Sequence, residues 1–141
     1  MADVHEPEIR SYNMSRIKGK DTKPEMMVRR FLFAHGFRYR LHDKKLPGKP
    51  DIVLRKYNTV IFVNGCFWHG HEGCRYFKLP ATKPEWWNKK ISDTKERDKK
   101  YYEHLKTDGW NVIVLWECKL KKSEAEATLN RLIETLTNKH M

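Results

Sequence analysis

The chain has 141 residues, with 29 Lys and Arg against 18 Asp and Glu for a net charge of +11. That is the size of one domain with room for a real core, and the basic excess favours a polyanion partner, nucleic acid foremost through counterion release. No apolar stretch approaches the ~18 residues that cross a bilayer, Met1 is not followed by an apolar signal core, and three cysteines do not close a disulfide framework, so a cytoplasmic, reducing location without membrane attachment is expected.

In chain order, residues 1–20 carry Arg10, Arg16, Lys18 and Lys20 with few apolar residues, and read as a basic arm that orders on binding. Residues 21–141 then form the single domain. Pro24, preceded by the capping residues Asp21 and Thr22, predicts a helix that stops at Gly36. Phe37 to Leu41 suits a strand. The Pro47-Gly48-Lys49-Pro50 punctuation breaks the chain before a strand from Asp51 to Leu54, and Tyr57-Asn58 suits a turn. Val60 to Val63 has the continuous apolar character of a buried strand. Pro84 opens a second helix that ends near Asp108-Gly109, and Trp110 to Trp116 is a third buried strand. Leu129, Leu132, Ile133 and Leu136 mark a closing amphipathic helix. The sum is an α/β fold, a small mixed central sheet flanked by helices.

Two of the three cysteines flank the run from Cys66 to Cys74, which also contains His69 and His71; the third, Cys118, follows the last apolar strand. Thiolates and imidazoles at such spacing suit tetrahedral zinc. An ion held by Cys66, His71, Cys74 and Cys118 would staple a loop to a distant strand.

Three acids stand where apolar residues belong. Trp87, Ile91, Thr94, Asp98, Tyr101 and Leu105 follow one another at steps of three or four and share one helical face. Glu25 lines up with Val28 and Leu32 in the same way. Burying an unpaired carboxylate costs several kcal/mol, so each acid needs a partner: a metal, a histidine, or one of the many basic residues in an internal ion pair. Asp51, directly after Pro50, either sits at the mouth of the sheet as a metal ligand or caps a turn. Phe67 and Trp68 are either core residues or rings free to stack on bases.

The stretches from Leu46 to Asp51, Val60 to His69, Glu96 to Asp98 and Trp116 to Cys118, together with the arm from Arg10 to Ile17, resemble the very short patch repair endonucleases. These bacterial enzymes nick double-stranded DNA at T·G mismatches left by deamination of 5-methylcytosine. The resemblance implies a restriction-endonuclease-like fold, a structural Zn²⁺, Mg²⁺-dependent phosphodiester hydrolysis, action as a monomer, and mismatch-repair proteins as further partners. By matched position it makes Asp51 the Mg²⁺ ligand with the backbone carbonyl of Val63, His69 the catalytic histidine, Asp98 its orienting acid and Glu25 an acid near the metal water. Cys66, His71, Cys74 and Cys118 match the zinc ligands. Phe67, Trp68 and Trp87 match aromatics that wedge beside the mismatch, and Met14 matches an arm residue that touches the duplex.

The chain departs from the family at two points. Asn64 stands where some members have a histidine, and the zinc loop is one residue longer. The nuclease superfamily's usual (Asp/Glu)-x-Lys on the strand after the metal aspartate is replaced by Phe62-Val63-Asn64. Two rival readings remain at this stage: a zinc-stapled DNA-binding module without catalysis, and a restriction-type nuclease acting on unmismatched DNA.

Overall fold

The computed structural model describes residues 22–75, 77–121 and 123–138. Helix α1 spans Lys23–Ala34, with Thr22 as its cap: the hydroxyl accepts from the Glu25 N–H at 3.4 Å, and Pro24 lies in the first turn. The helix closes where Gly36 takes a φ of 87°, and the Phe37 N–H bonds back to the Leu32 carbonyl at 3.0 Å. That bond uses the Phe37 donor, so the expected strand from Phe37 to Leu41 contracts to β1, Arg40–Leu41. Phe37 itself is buried against the Tyr57 ring.

Strand β2 is Ile52–Leu54 and β3 is Thr59–Asn64, joined by a 3-10 turn at Arg55–Tyr57 that ends on left-handed Asn58. Helix α2 runs over Pro84–Thr107, β4 over Asn111–Trp116, a second 3-10 turn over Glu117–Leu120 and helix α3 over Ala125–Asn138. The four strands stand in the order β1-β2-β3-β4. The first two pairings are antiparallel, and β3 runs parallel to β4 with Asn64 opposite Trp116. A parallel neighbour needs a crossover, which α2 supplies.

Alternation along β2 and β3 builds two core layers. Ile52, Leu54 and Ile61 pack with Val28 and Leu32 of α1 and Leu129, Leu132 and Leu136 of α3. Val53, Val60 and Phe62 face the other way and pack with Leu105 of α2. Each fully buried Leu or Ile contributes roughly 1.5–3 kcal/mol relative to exposure. The strand expected to be buried between Trp110 and Trp116 differs: only Leu115 of β4 is buried, because β4 is an edge with one neighbour. Among the described residues no helix is long and apolar enough to cross a membrane.

Candidate active site and metal cluster

The break at Pro47-Gly48-Lys49-Pro50 sets Asp51 just ahead of β2, beside the end of β3. There its Oδ2 accepts from the Val63 N–H at 2.7 Å. Glu25, 1 % exposed, enters from the first turn of α1. His42 completes the cluster, held at a φ of 48° where the chain leaves β1, with its N–H on the Asp51 carbonyl at 3.0 Å. Its Nε2 lies 2.8 Å from Glu25 Oε2, which also pairs with Arg29 at 3.3 Å. One ligand atom from each of Glu25, His42 and Asp51 falls within 4.8 Å of the others. Glu25 therefore has the ion-pair partners expected of a buried acid, and it also borders a group of metal-ligand type.

Burial pushes the Asp51 carboxyl up to about 6 from 3.8, and Glu25 nearby adds to the rise. The Val63 N–H, His42 and His69 oppose it by favouring the charged form. A carboxylate that is costly to ionise where it sits is one that gains by meeting a cation.

His69 comes from the loop after β3, near enough for its charge to favour the ionised form of Asp51. Its Nδ1 lies 2.6 Å from Asp98 Oδ2 on α2. The α2 face expected to turn inward does so: Ile91 and Leu105 are buried, while Trp87, Thr94, Asp98 and Tyr101 are half-buried. Gly70 carries a φ of +60°, and a Cβ there would lie 2.6 Å from Ile91, so this loop seats on α2 only with glycine at the contact. A cleft of about 460 Å³ opens beside the pair, lined by Asn64, His69, Asp98, Lys99 and Tyr102 among others.

Cys66, His71, Cys74 and Cys118 converge as expected, with ligand atoms within 4.8 Å of one another. Cys118 lies on the 3-10 turn after β4, its Sγ 3.5 Å from His71 Nδ1, and its N–H points to Cys66 Sγ at 3.4 Å. The His71 ring stacks flat on Trp116 at 4.1 Å, which fixes its orientation. Burial raises the thiols of Cys66 and Cys118 above their ordinary value, and the Cys74 sulfur adds to both rises.

Phe67, Trp68 and Trp87 meet as one aromatic cluster, with ring centroids 5.1, 5.4 and 5.9 Å apart. All three are partly exposed, and none belongs to either core layer. Met14 and the basic arm lie outside the described residues. The sequence reading missed His42, Tyr102 and the exposed Trp86, which packs edge-on against Trp87. A four-residue step from Asp98 reaches Tyr102 just as a three-residue step reaches Tyr101, so helical spacing could have found it. No comparable signal marked His42, whose position depends on a left-handed backbone.

The family model for the DNA mismatch endonuclease Vsr matches residues 2–75 of the chain. The type II nicking enzyme V.NmeAIP of Neisseria meningitidis serogroup A is 47% identical over 96% of this chain and 97% of its own length. The type II nicking enzyme V.XorIIP of Xanthomonas oryzae is 44% identical over 95% of this chain and 98% of its own. The DNA mismatch endonuclease Vsr of Escherichia coli is 44% identical over 95% and 87% respectively. The Glu25–His42–Asp51 cluster, the Cys/His group and these near-full-length likenesses agree: the chain belongs to the Vsr family of DNA endonucleases, with a restriction-endonuclease-like fold.

Proposed function

We propose that this endonuclease nicks double-stranded DNA beside the thymine of a T·G mismatch by Mg²⁺-dependent hydrolysis, initiating very short patch repair. The observation that carries the reading is the combination of the Glu25–His42–Asp51 cluster with the His69–Asp98 pair, whose histidine is near enough for its charge to act on Asp51. A non-catalytic DNA-binding module has no use for that pairing. The similar proteins, a mismatch endonuclease and two nicking enzymes, support the same substrate class.

The donor set suits a hard divalent ion that keeps several waters and takes one or two carboxylates. Asp51 would be its main protein ligand, and Glu25 would hold its water. The carbonyl of Val63 is available on the same edge, because in an extended strand N–H and C=O of one residue point the same way and this N–H already reaches Asp51. When bound, Mg²⁺ would supply charge neutralisation at the phosphate and a more acidic water.

The other steps fall to side chains. With Nδ1–H given to Asp98, His69 keeps Nε2 free to take up or deliver the proton of the transfer. Alanine at His69 or at Asp98 should slow single-turnover nicking by on the order of 10²–10⁴-fold. The double variant should be little slower than the worse single one, since the pair acts as a unit. Additive losses would mean that the two residues serve separate steps.

Zn²⁺ is the ion that best fits the Cys66–His71–Cys74–Cys118 group, with no position left open for substrate. The edge of a tetrahedron with bonds of ~2.3 Å to sulfur and ~2.0 Å to nitrogen is roughly 3.5 Å, the scale of the His71–Cys118 separation. The ion's role is to hold a loop that carries His69 together with Phe67 and Trp68. A mismatched step is easier to open than a paired one, so rings presented by a fixed loop would discriminate by the cost of unstacking.

Trp68→Ala should remove roughly 1–3 kcal/mol of stacking from binding to a T·G duplex. Its effect on matched DNA should be smaller, because phosphate contacts dominate there. Titrating both duplexes at one salt concentration measures this, and an equal loss on the two would make the rings general packing groups.

The test of the whole reading is a nicking assay on T·G and T·A duplexes of one sequence, with Mg²⁺ added or omitted. Nicking of the thymine strand in the mismatch alone, and only with Mg²⁺, is the expected result. Equal cutting of the matched duplex would favour a restriction-type nuclease.

A further inference from the structure

Asn64, the last residue of β3, is 3 % exposed, and its Nδ2 donates to the Tyr102 hydroxyl at 2.8 Å. A phenol has one proton to give and lone pairs to accept with. Since the amide N–H takes a lone pair, the phenolic proton is left for another acceptor. The ring that carries it is fixed, tilted against buried Phe62 with centroids 4.9 Å apart. Tyr102 lies one helical turn beyond Asp98 on α2, and it lines the same cleft as His69 and Asp98. Burial is the main cause that pushes its hydroxyl up to about 12, with the charges of Asp98 and Asp51 adding to the rise. A phenol of that kind stays protonated at neutral pH, so it acts as a donor and not as a base.

We propose that Tyr102 is a further catalytic residue of this endonuclease, its hydroxyl donating to a non-bridging oxygen of the scissile phosphate while Asn64 directs the proton into the cleft. The acceptor class is a phosphodiester, whose non-bridging oxygens carry the growing charge of the transition state, and a fixed donor there acts without reorganisation. The inference rests on the proposed substrate, and it deepens that reading by naming a further group that meets the phosphate. Asn64 is a positioning residue in this scheme, since it touches the phenol and not the DNA.

Tyr102→Phe keeps the ring on Phe62 and removes only the hydroxyl. In the full chain with its metals, single-turnover nicking of the T·G duplex should fall by on the order of 10²-fold, with unchanged duplex affinity and an unchanged pH profile. Placing sulfur at one or the other non-bridging oxygen of the scissile phosphate separates contact from architecture, because sulfur accepts hydrogen bonds poorly. The penalty of Tyr102→Phe should shrink on one phosphorothioate diastereomer and persist on the other. This comparison holds even if the variant melts lower than the wild type. A wild-type rate in Tyr102→Phe, or an equal penalty on both diastereomers and the unmodified duplex, would overturn the inference alone. A wild-type chain that leaves the T·G duplex whole would overturn the proposed substrate, and the inference with it.

Discussion

Asp51→Ala should abolish Mg²⁺-dependent nicking and leave duplex binding largely intact. The residue is placed for that effect by its backbone: the chain break at Pro50 puts its carboxylate beside the end of β3, where the Val63 N–H holds one oxygen at 2.7 Å. Near-normal turnover in purified Asp51→Ala would move the catalytic centre elsewhere. The protein without divalent ions offers a second measurement. The folded Asp51 value of about 6 lies above the ordinary 3.8, so the folded state holds this proton more tightly than the unfolded chain does. Its contribution to stability is complete at pH values below the ordinary one and is lost as pH rises through the folded one. At pH well above both, the buried charge costs up to roughly 3 kcal/mol, an upper bound since part of the group is wet. Asp51→Asn should therefore melt above the wild type in Mg²⁺-free buffer at alkaline pH and level with it in acid. Added Mg²⁺ should raise the Tm of the wild type and not of Asp51→Asn. An Asp51→Asn that gained no stability in alkaline buffer would mean that water screens this carboxylate.

If the Cys66–His71–Cys74–Cys118 group holds Zn²⁺ as proposed, removing Cys118 should cost the fold as much as a large core truncation. Elemental analysis should give one Zn²⁺ per chain. Cys118→Ser should lower stability by roughly 3–5 kcal/mol, on the order of 10 °C in Tm for a domain of this size. Structural zinc contributes its binding energy to folding, and a domain has only ~5–15 kcal/mol in total. Nicking should fall with it, because His69 rides on the loop that the ion would staple although it is no ligand in the observed cluster. Binding must also displace protons from the cysteines, whose thiols burial raises, so zinc retention should weaken as pH falls. A protein that purified free of zinc, folded and active would remove the staple from the account.

Periodicity made most of the frame legible. The inward face of α2 and the buried place of Glu25 follow from steps of three and four, and these steps survive folding because each element buries one side. The four-ligand group was legible because thiols and imidazoles crowded at such spacing have few other uses. Where the chain ends its ladders was harder. Phe37 looks like a strand residue, yet its N–H closes α1, and β4 looks buried although it has one neighbour. His42 was hidden for a related reason, since its direction comes from a left-handed φ that no local pattern announces. Asn64 and Tyr102 meet across 38 positions of sequence, a pairing that only the β3–α2 contact creates.

The Cys66–Cys118 contact has a consequence for strand alignment. It joins residues 52 positions apart, each just past the end of one of the two parallel strands. Parallel neighbours can slide, and a slip of one residue turns every side chain to the opposite face. Here such a slip would carry Cys118 away from Cys66 and His71 by a full strand step, ~3.3 Å, too far for one ion to hold them. With the proposed ion bound, the Cys/His group would work as a gauge: it could close only when Asn64 stands opposite Trp116, the register that also turns Asn64 toward Tyr102 and the cleft.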